Sequence, residues 1–439
     1  MPYDILITNA VVLPLADATT DTIAPGYVAI QGDSIAALGS MTELPADTKA
    51  HATIDGSGML AMPGLINTHN HAAMTLFRGL ADDLQLMEWL TKHIFPAEAR
   101  FVNPEMVYWC SKLAAAEMIR SGTTCVADGY FHEDAAAEAF CDAGLRAVAA
   151  QGLIDFPAPG VPDPADNVAA AGRFLDRWQG RHPLLTPALF CHSPYTCGPT
   201  TITAGKALAR ERGVPFFIHL AESRDEIRQI TTPHGETPTR HLHKLGILDP
   251  ATVCVHCVWL DETDQQLLAT SGAGVAACPG SNMKLASGIA PLAGLVRRGV
   301  AVGLGTDGCA SNNNLDLFAE MDLAAKLQKV HALDPTVLPA RRLLAMATGD
   351  GARVLGMADR IGSLTPGKKA DCILIDLRQP GLSPCYSPDL LVYAAGGRDV
   401  RTVIINGRVV LRDRELLAFD QQEAMDRVNR LALKVRAPT

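Results

Sequence analysis

Along the first 62 residues apolar and polar side chains alternate with period two, over Asp4 to Leu13, Gly26 to Leu38 and Ala52 to Met59. Turn residues such as Gln31-Gly-Asp-Ser interrupt the runs, so the pattern predicts β structure. The same texture returns in Asp371-Cys-Ile-Leu-Ile-Asp376 and from Val400 to Arg412, where Asn406-Gly407 has the chemistry of a two-residue hairpin turn. The two ends of the chain, residues 1–62 and 363–439, are expected to form one small β-sandwich, closed by a helix over Gln421 to Val435.

Between them, over residues 63–362, apolar runs end in polar residues at Met62 to His71, Thr123 to Gly129, Leu145 to Asp155, Leu184 to His192, Pro215 to Glu222, Thr252 to Trp259, Gly274 to Pro279 and Val300 to Asp307. Several intervening segments have helical period. In the clearest, Asn103 caps and Pro104 opens a helix that puts Val107, Cys110, Ala114 and Met118 on one face and stops at Gly122. Gly144, Gly213, Gly272 and Gly299 stand where a left-handed helix cap precedes the next strand. Eight strand-then-helix units over about 300 residues predict an α/β fold, the (β/α)₈ barrel, with its active site at the C-terminal ends of the strands.

Candidate chemistry gathers at those ends. His69 and His71 close the first run, and residues two apart on a strand share a face, so both imidazoles can meet one ion. Alone, His-x-His could equally be the polar rim of a strand. However, His219 with Glu222, His256 and Asp307 end the fifth, sixth and eighth runs, and a closed barrel brings those ends to a common point more readily than a doubly wound sheet.

His69, His71, His219 and Asp307 form an N₃O donor set suited to one Zn²⁺ or Fe²⁺, with a position left for water whose pKa zinc lowers towards about 7. Glu222, past the strand end, is placed to carry protons instead of binding metal; the alternative is a solvated loop carboxylate. His256 is placed to orient the water or polarise the bond under attack. Its alternative is a satisfied core histidine, since the residue type recurs at His182, His234 and His243.

A chain of 439 residues, 48% hydrophobic, has ample material for a large core and something smaller beside it. A formal charge of −9 without Lys or Arg runs argues against nucleic acid or an anionic membrane as partner. No basic segment precedes a long apolar one and no apolar stretch reaches about 18 residues, so a cytoplasmic protein is expected.

The 11 cysteines are read as reduced thiols used in packing. Cys254-Val-His-Cys257 matches C-x-x-C, but strand alternation puts the two thiols on opposite faces, with His256 on that of Cys254. Gly303-Leu-Gly-Thr-Asp-Gly308 matches G-x-G-x-x-G, yet it lies on the last run and not in a first βαβ unit, which speaks against a nucleotide-binding oxidoreductase.

Together these residues resemble the amidohydrolase superfamily, through Pro63-Gly-Leu-Ile-Asn-Thr-His-Asn-His71, His219-Leu-Ala-Glu222, Val255-His-Cys257 and Gly305-Thr-Asp-Gly308. The resemblance covers nearly the whole chain. Binuclear members carry a carboxylated lysine on strand four, whereas here that run ends Leu189-Phe-Cys-His192. The resemblance therefore implies a mononuclear site, one divalent ion per subunit, Zn²⁺ before Fe²⁺ or Mn²⁺.

Within the superfamily the chain resembles the 5′-methylthioadenosine/S-adenosylhomocysteine deaminases. The matching text is Asn67 to Leu84, Glu88-Trp-Leu90, Phe95-Pro-Ala-Glu98, His192-Ser-Pro-Tyr195 and Asp307-Gly-Cys-Ala-Ser-Asn-Asn313. This resemblance implies a hydrolase that acts on the C–N bond of a cyclic amidine, taking a small-molecule purine nucleoside to its inosine analogue plus ammonia. Glu222 would move a proton from water to the ring nitrogen beside C6, and Asp307 would help pass one to the departing ammonia. Glu98 would accept from the two ribose hydroxyls, and His192 would touch the nucleoside.

Met74, Leu84, Met87, Trp89 and Leu90 would cover a thioalkyl end, or else belong to the ordinary core. Members that handle S-adenosylhomocysteine well are expected to present an arginine after strand three, but Asp155 to Asn167 holds none. Methylthioadenosine and adenosine are thus the expected substrates, with S-adenosylhomocysteine turned over less well. The rival readings are a related enzyme acting on guanine, cytosine, a pterin or a triazine, and a non-catalytic relative, against which the complete donor set argues. Barrels of this kind often pair, so a homo-oligomer stays open.

Overall fold

Eight parallel strands lie side by side in the order in which the chain makes them: β1 (Leu65–Asn70), β2 (Thr123–Tyr130), β3 (Arg146–Leu153), β4 (Leu185–Cys191), β5 (Phe216–Leu220), β6 (Thr252–His256), β7 (Gly274–Ala277) and β8 (Val302–Leu304). Each matches one of the apolar runs, β2 extending one residue past its run to Tyr130, and nearly every strand residue is buried, as parallel strands covered on both faces require. Ile66, Ala127, Val148, Phe190, Phe217, Val255 and Ala276 fill the interior, while Val126, Leu189, Ile218, Cys254 and Val302 join the helices in an outer layer. The structure is a computed structural model and describes residues 2–17 and 21–436; residues 437–439, at the end of the expected terminal unit, lie outside it.

Helix α1 (Pro104–Arg120) begins where its cap predicts, with the Met106 amide donating to the Asn103 side chain at 3.1 Å. Gly144, Gly213, Gly272 and Gly299 all have positive φ.

Closure between β8 and β1 is made differently from the other seven pairings. No ladder joins them among the described residues. Instead the Asp307 amide donates to the His69 carbonyl (3.1 Å), the Thr306 amide to Asn67 Oδ1 (3.1 Å) and Asn67 Nδ2 to Thr306 Oγ1 (2.7 Å). A Cβ at Gly303 would stand 2.4 Å from Thr68, and one at Gly305 2.9 Å from His69. The glycines of the G-x-G-x-x-G match therefore let two strands approach, and they cradle no phosphate.

The chain ends meet in one nine-stranded mixed sheet. Met59–Pro63 pairs antiparallel with Cys372–Asp376, joining the N-terminal strands to Val400–Ile405 and Arg408–Arg412. Ile7, Val28, Ile30, Leu374 and Ile404, from both ends, share its core. Gln421–Arg436 is a helix packed on α1. A buried fork fastens the sheet to the barrel. Arg146, opening β3, donates to both oxygens of Asp371 at 2.7 and 2.9 Å, and Asp371 also accepts from the Asn406 amide at 2.7 Å.

Candidate active site

Three histidines converge where β1 and β5 end. Their nearest ring nitrogens, from His69, His71 and His219, lie within 4.8 Å of one another. His69 Nε2 is 3.4 Å from His219 Nε2 and 3.4 Å from Asp307 Oδ1, and His71 Nε2 is 3.5 Å from the same oxygen. Ligands about 2.1 Å from a tetrahedral zinc are separated by about 3.4 Å, so three of the pairs, His69–His219, His69–Asp307 and His71–Asp307, have the spacing of donors to one ion. An irregularity in the pairing of β1 with β2, between Asn67 and Asn70, accompanies the turn of His69 and His71 to the interior.

The surroundings prepare the donors. His71 Nδ1 faces the Gly129 carbonyl at 2.5 Å, an acceptor only, so the proton sits on Nδ1 and Nε2 offers its lone pair. Burial pushes the pKa of His69 down to about 4, lowers that of His71 and takes His219 well below the usual histidine range. All three are neutral imidazoles at neutral pH, the form that ligates a cation.

Burial opposes ionisation of Asp307, but the His69 hydrogen bond and the adjoining imidazoles outweigh it and hold the carboxyl well below its usual range. Ser281 and Ser311 donate to its Oδ2 at 2.6 and 2.8 Å, which leaves Oδ1 turned to the histidines. Where β4 faces this group stands the Phe190 ring, 4.8, 5.7 and 5.8 Å from the rings of His219, His69 and His71. It forms a dry floor in place of a second-metal ligand.

Glu222 lies beside the donors with Oε2 3.8 Å from His256 Nε2, and its pKa is raised, chiefly by burial. His256 Nδ1 meets Asn282 Oδ1 at 3.0 Å, so Nε2 is the nitrogen turned to the site. The alternation argument that set His256 on the face of Cys254, and Cys257 on the other, fails on both counts, since Cys254 and Cys257 pack in the same cluster. Cys254 packs in the outer layer, but His256 has φ +71° and Cys257 φ +53°, and this left-handed step swings the imidazole inward. All 11 cysteines are free.

His71, His219, Glu222, His256 and Asp307 line one cavity with Met74, Leu86, Trp89, Leu90, Ile94, Phe95, Glu98, Tyr130, Phe131, Ile154 and His192. Glu98, a residue that spacing alone would leave on a helix surface, is buried; it accepts from the Tyr130 hydroxyl at 2.6 Å, and burial pushes its pKa up to about 7. His192 Nδ1 is engaged by Thr196 Oγ1 at 2.9 Å, and burial brings its pKa down to about 3.

Trp89, Met74 and Leu90 line the cavity, whereas Leu84 and Met87 do not; Leu86, Ile94 and Phe95 take those places. The segment that carries them winds through a π-helical stretch at Leu90–Ile94, which shifts the face that a regular period would present. Tyr130, Asn282, Ser281 and Ser311 were not legible from spacing, because each serves another side chain and none belongs to a ligand pattern.

An eight-stranded barrel with neutral imidazoles from its first and fifth strands and an ionised aspartate after its eighth defines a class of metal-dependent hydrolase. The amidohydrolase family model matches residues 60–410, and the chain belongs to that family. Its relatives narrow the class. A 5-methylthioadenosine/S-adenosylhomocysteine deaminase of Syntrophobacter fumaroxidans is 50% identical over 434 residues, 99% of this chain and 98% of that protein. A 5′-deoxyadenosine deaminase of Methanosarcina mazei is 44% identical over 98% of both chains. Among solved structures, an adenosine deaminase from Xanthomonas campestris with bound zinc superposes with a TM-score of 0.96, at 37% identity and 99% coverage of each chain. The resemblance read from the strand-end motifs holds at the level of the family and of its deaminases.

Proposed function

We propose that the protein deaminates 5′-methylthioadenosine and adenosine hydrolytically, releasing ammonia and the inosine analogue. The observation that carries this reading is the cavity itself, which joins the N₃O group and Glu222 to the buried carboxyl of Glu98 and an apolar wall. One Zn²⁺ per subunit would be held by His69, His71, His219 and Asp307; when bound it acts as a Lewis acid that makes water a nucleophile at neutral pH. Glu222 carries a proton from the attacking water to the ring nitrogen beside C6. A non-ligand glutamate moves protons in the same way in zinc nucleobase deaminases. His256, held through Nδ1 by Asn282, steers the water towards C6. Asp307, with Oδ2 anchored by two serines, takes the second proton of the added water and passes it to the departing ammonia. Glu98 offers its remaining lone pairs to the ribose hydroxyls, and His192 faces the nucleoside beside Phe95.

The wall that meets the 5′ substituent is built from Leu86, Trp89, Leu90, Ile94 and Phe95, and no Lys or Arg lines the cavity among the described residues. A carboxylate tail would be desolvated there beside Glu98 with no cation to compensate it. S-Adenosylhomocysteine is therefore the poorer substrate.

The test is ammonia release, followed with the ultraviolet change of the purine, on zinc-loaded protein with 5′-methylthioadenosine, adenosine and S-adenosylhomocysteine in parallel. Fast turnover of the first two is expected. Equal or better turnover of the third overturns the specificity, and no turnover of any with metal bound redirects the site to guanine, cytosine, a pterin or a triazine.

The same reading divides the chain into a catalytic unit, residues 63–362, and a composite unit of 1–62 with 363–439. It also places the protein in the cytoplasm, which the free thiols support. No helix among the described residues is long and apolar enough to cross a membrane.

A further inference from the structure

Ser223-Arg-Asp-Glu226 has the spacing of a capping box at the start of α2 (Arg224–His234), and half of the box is made: Ser223 Oγ accepts from the Glu226 amide at 3.2 Å. In an ordinary box the glutamate returns to the amide of the capping residue itself. Glu226 reaches further back, accepting from the Ala221 amide through Oε1 at 2.7 Å and from the Glu222 amide through Oε2 at 2.8 Å. Its side chain is 1% exposed. Burial pushes its pKa up to about 8, and the interactions that favour its charge are these two amides, with no cation beside them among the described residues. Burying a carboxyl on such terms is costly, and a helix cap alone does not require it.

The turn it grips is the one that directs Glu222. Phe217 and His219 face the barrel interior while Ile218 and Leu220 pack outward, so strict alternation would send Glu222 outward as well. Ala221 has φ +53°, a left-handed step that reverses the alternation and delivers Glu222 to the cavity. A left-handed alanine is strained, and its surroundings must hold it there. The Ala221 carbonyl is pinned from the other side by the Val258 and Trp259 amides, at 3.1 and 2.8 Å.

We infer that Glu226 is the positioning residue of the proton carrier: its carboxyl clamps two consecutive amides, holds Ala221 left-handed and thereby aims Glu222. The inference rests on reading Glu222 as that carrier.

Replacement by the isosteric amide separates a clamp from a cap. Glu226→Gln turns one acceptor into a donor facing an N–H, and kcat for 5′-methylthioadenosine should fall about 10- to 100-fold while KM and zinc content stay within about twofold. Ala221→Gly in the Glu226→Gln background should recover part of that kcat, because glycine holds positive φ without help. Ser223→Ala, which removes the cap and leaves the clamp, should lower the melting temperature with kcat unchanged.

A Glu226→Gln enzyme with wild-type kcat overturns the inference, and so does one that loses zinc and stability in step with kcat. If Glu226→Gln yields no soluble protein, the double variant with Ala221→Gly decides: soluble, zinc-loaded and more than tenfold slowed supports the clamp, and any other result, insolubility included, overturns it. Glu222→Gln, measured alongside, should retain zinc and lose turnover. Wild-type activity there defeats the reading of Glu222 itself, whatever Glu226 does.

Discussion

Glu98 accepts one hydrogen bond from Tyr130 within an otherwise apolar wall, and that isolation gives it a pH signature. Burial raises its pKa to about 7, whereas an acceptor for two hydroxyls must be ionised. KM for 5′-methylthioadenosine should therefore fall as the pH rises through about 7, and Glu98→Gln should raise KM severalfold and flatten that dependence; a KM profile unchanged by the substitution would exclude Glu98 from substrate binding. The linkage to folding has the opposite sense. The native state keeps this proton where the unfolded chain has lost it, so the stability tied to Glu98 is full below its ordinary value of 4.5 and is lost as the pH rises through about 7. At this scale legibility in the sequence followed backbone regularity. His69, His71 and His219 could be placed from strand ends. His256 could not be aimed correctly, because strand alternation stops at a residue with φ +71°. Glu98 was legible only through the family text Phe95-Pro-Ala-Glu98, because its partner Tyr130 is remote in sequence.

Among the elements, the eight barrel strands were readable because a parallel strand buried on both faces is a continuous apolar run, and the helix after Asn103 because its cap chemistry is local. The segment from Leu86 to Phe101 was less so: an α-helical turn, a π-helical stretch and a second helical piece follow one another there, and no single period describes them. The terminal sheet showed itself by alternation and by Asn406-Gly407, with both residues at positive φ, but its attachment to the barrel did not. That attachment is the Arg146–Asp371 fork, with side-chain exposures of 1% and 2%. Removing one partner strands a buried charge, so Asp371→Ala should cost about 3–5 kcal/mol in urea unfolding, while the double replacement Arg146→Met/Asp371→Leu should cost markedly less. A single variant as stable as the wild type would show that the fork does not fasten the two parts.

For the molecule as a whole, donors from β1, β5 and the end of β8 meet at one point, so a bound ion ties together parts of the chain that are remote in sequence. Stripping the metal with a chelator should lower the melting temperature. An ion present at roughly a thousandfold above its dissociation constant contributes about 4 kcal/mol, which is about 4 °C for a chain of this size. Scanning calorimetry of metal-loaded and stripped protein measures it, and coincident transitions would mean that these residues do not hold the ion. The seam between β8 and β1 sharpens the point. Three donors, His69, His71 and Asp307, straddle the junction that, among the described residues, has scattered hydrogen bonds instead of a ladder. During synthesis Asp307 leaves the ribosome long after the two histidines, so a nascent or truncated chain offers only a partial donor set. An ion held by all four donors therefore marks a chain in which both sides of that seam have come together.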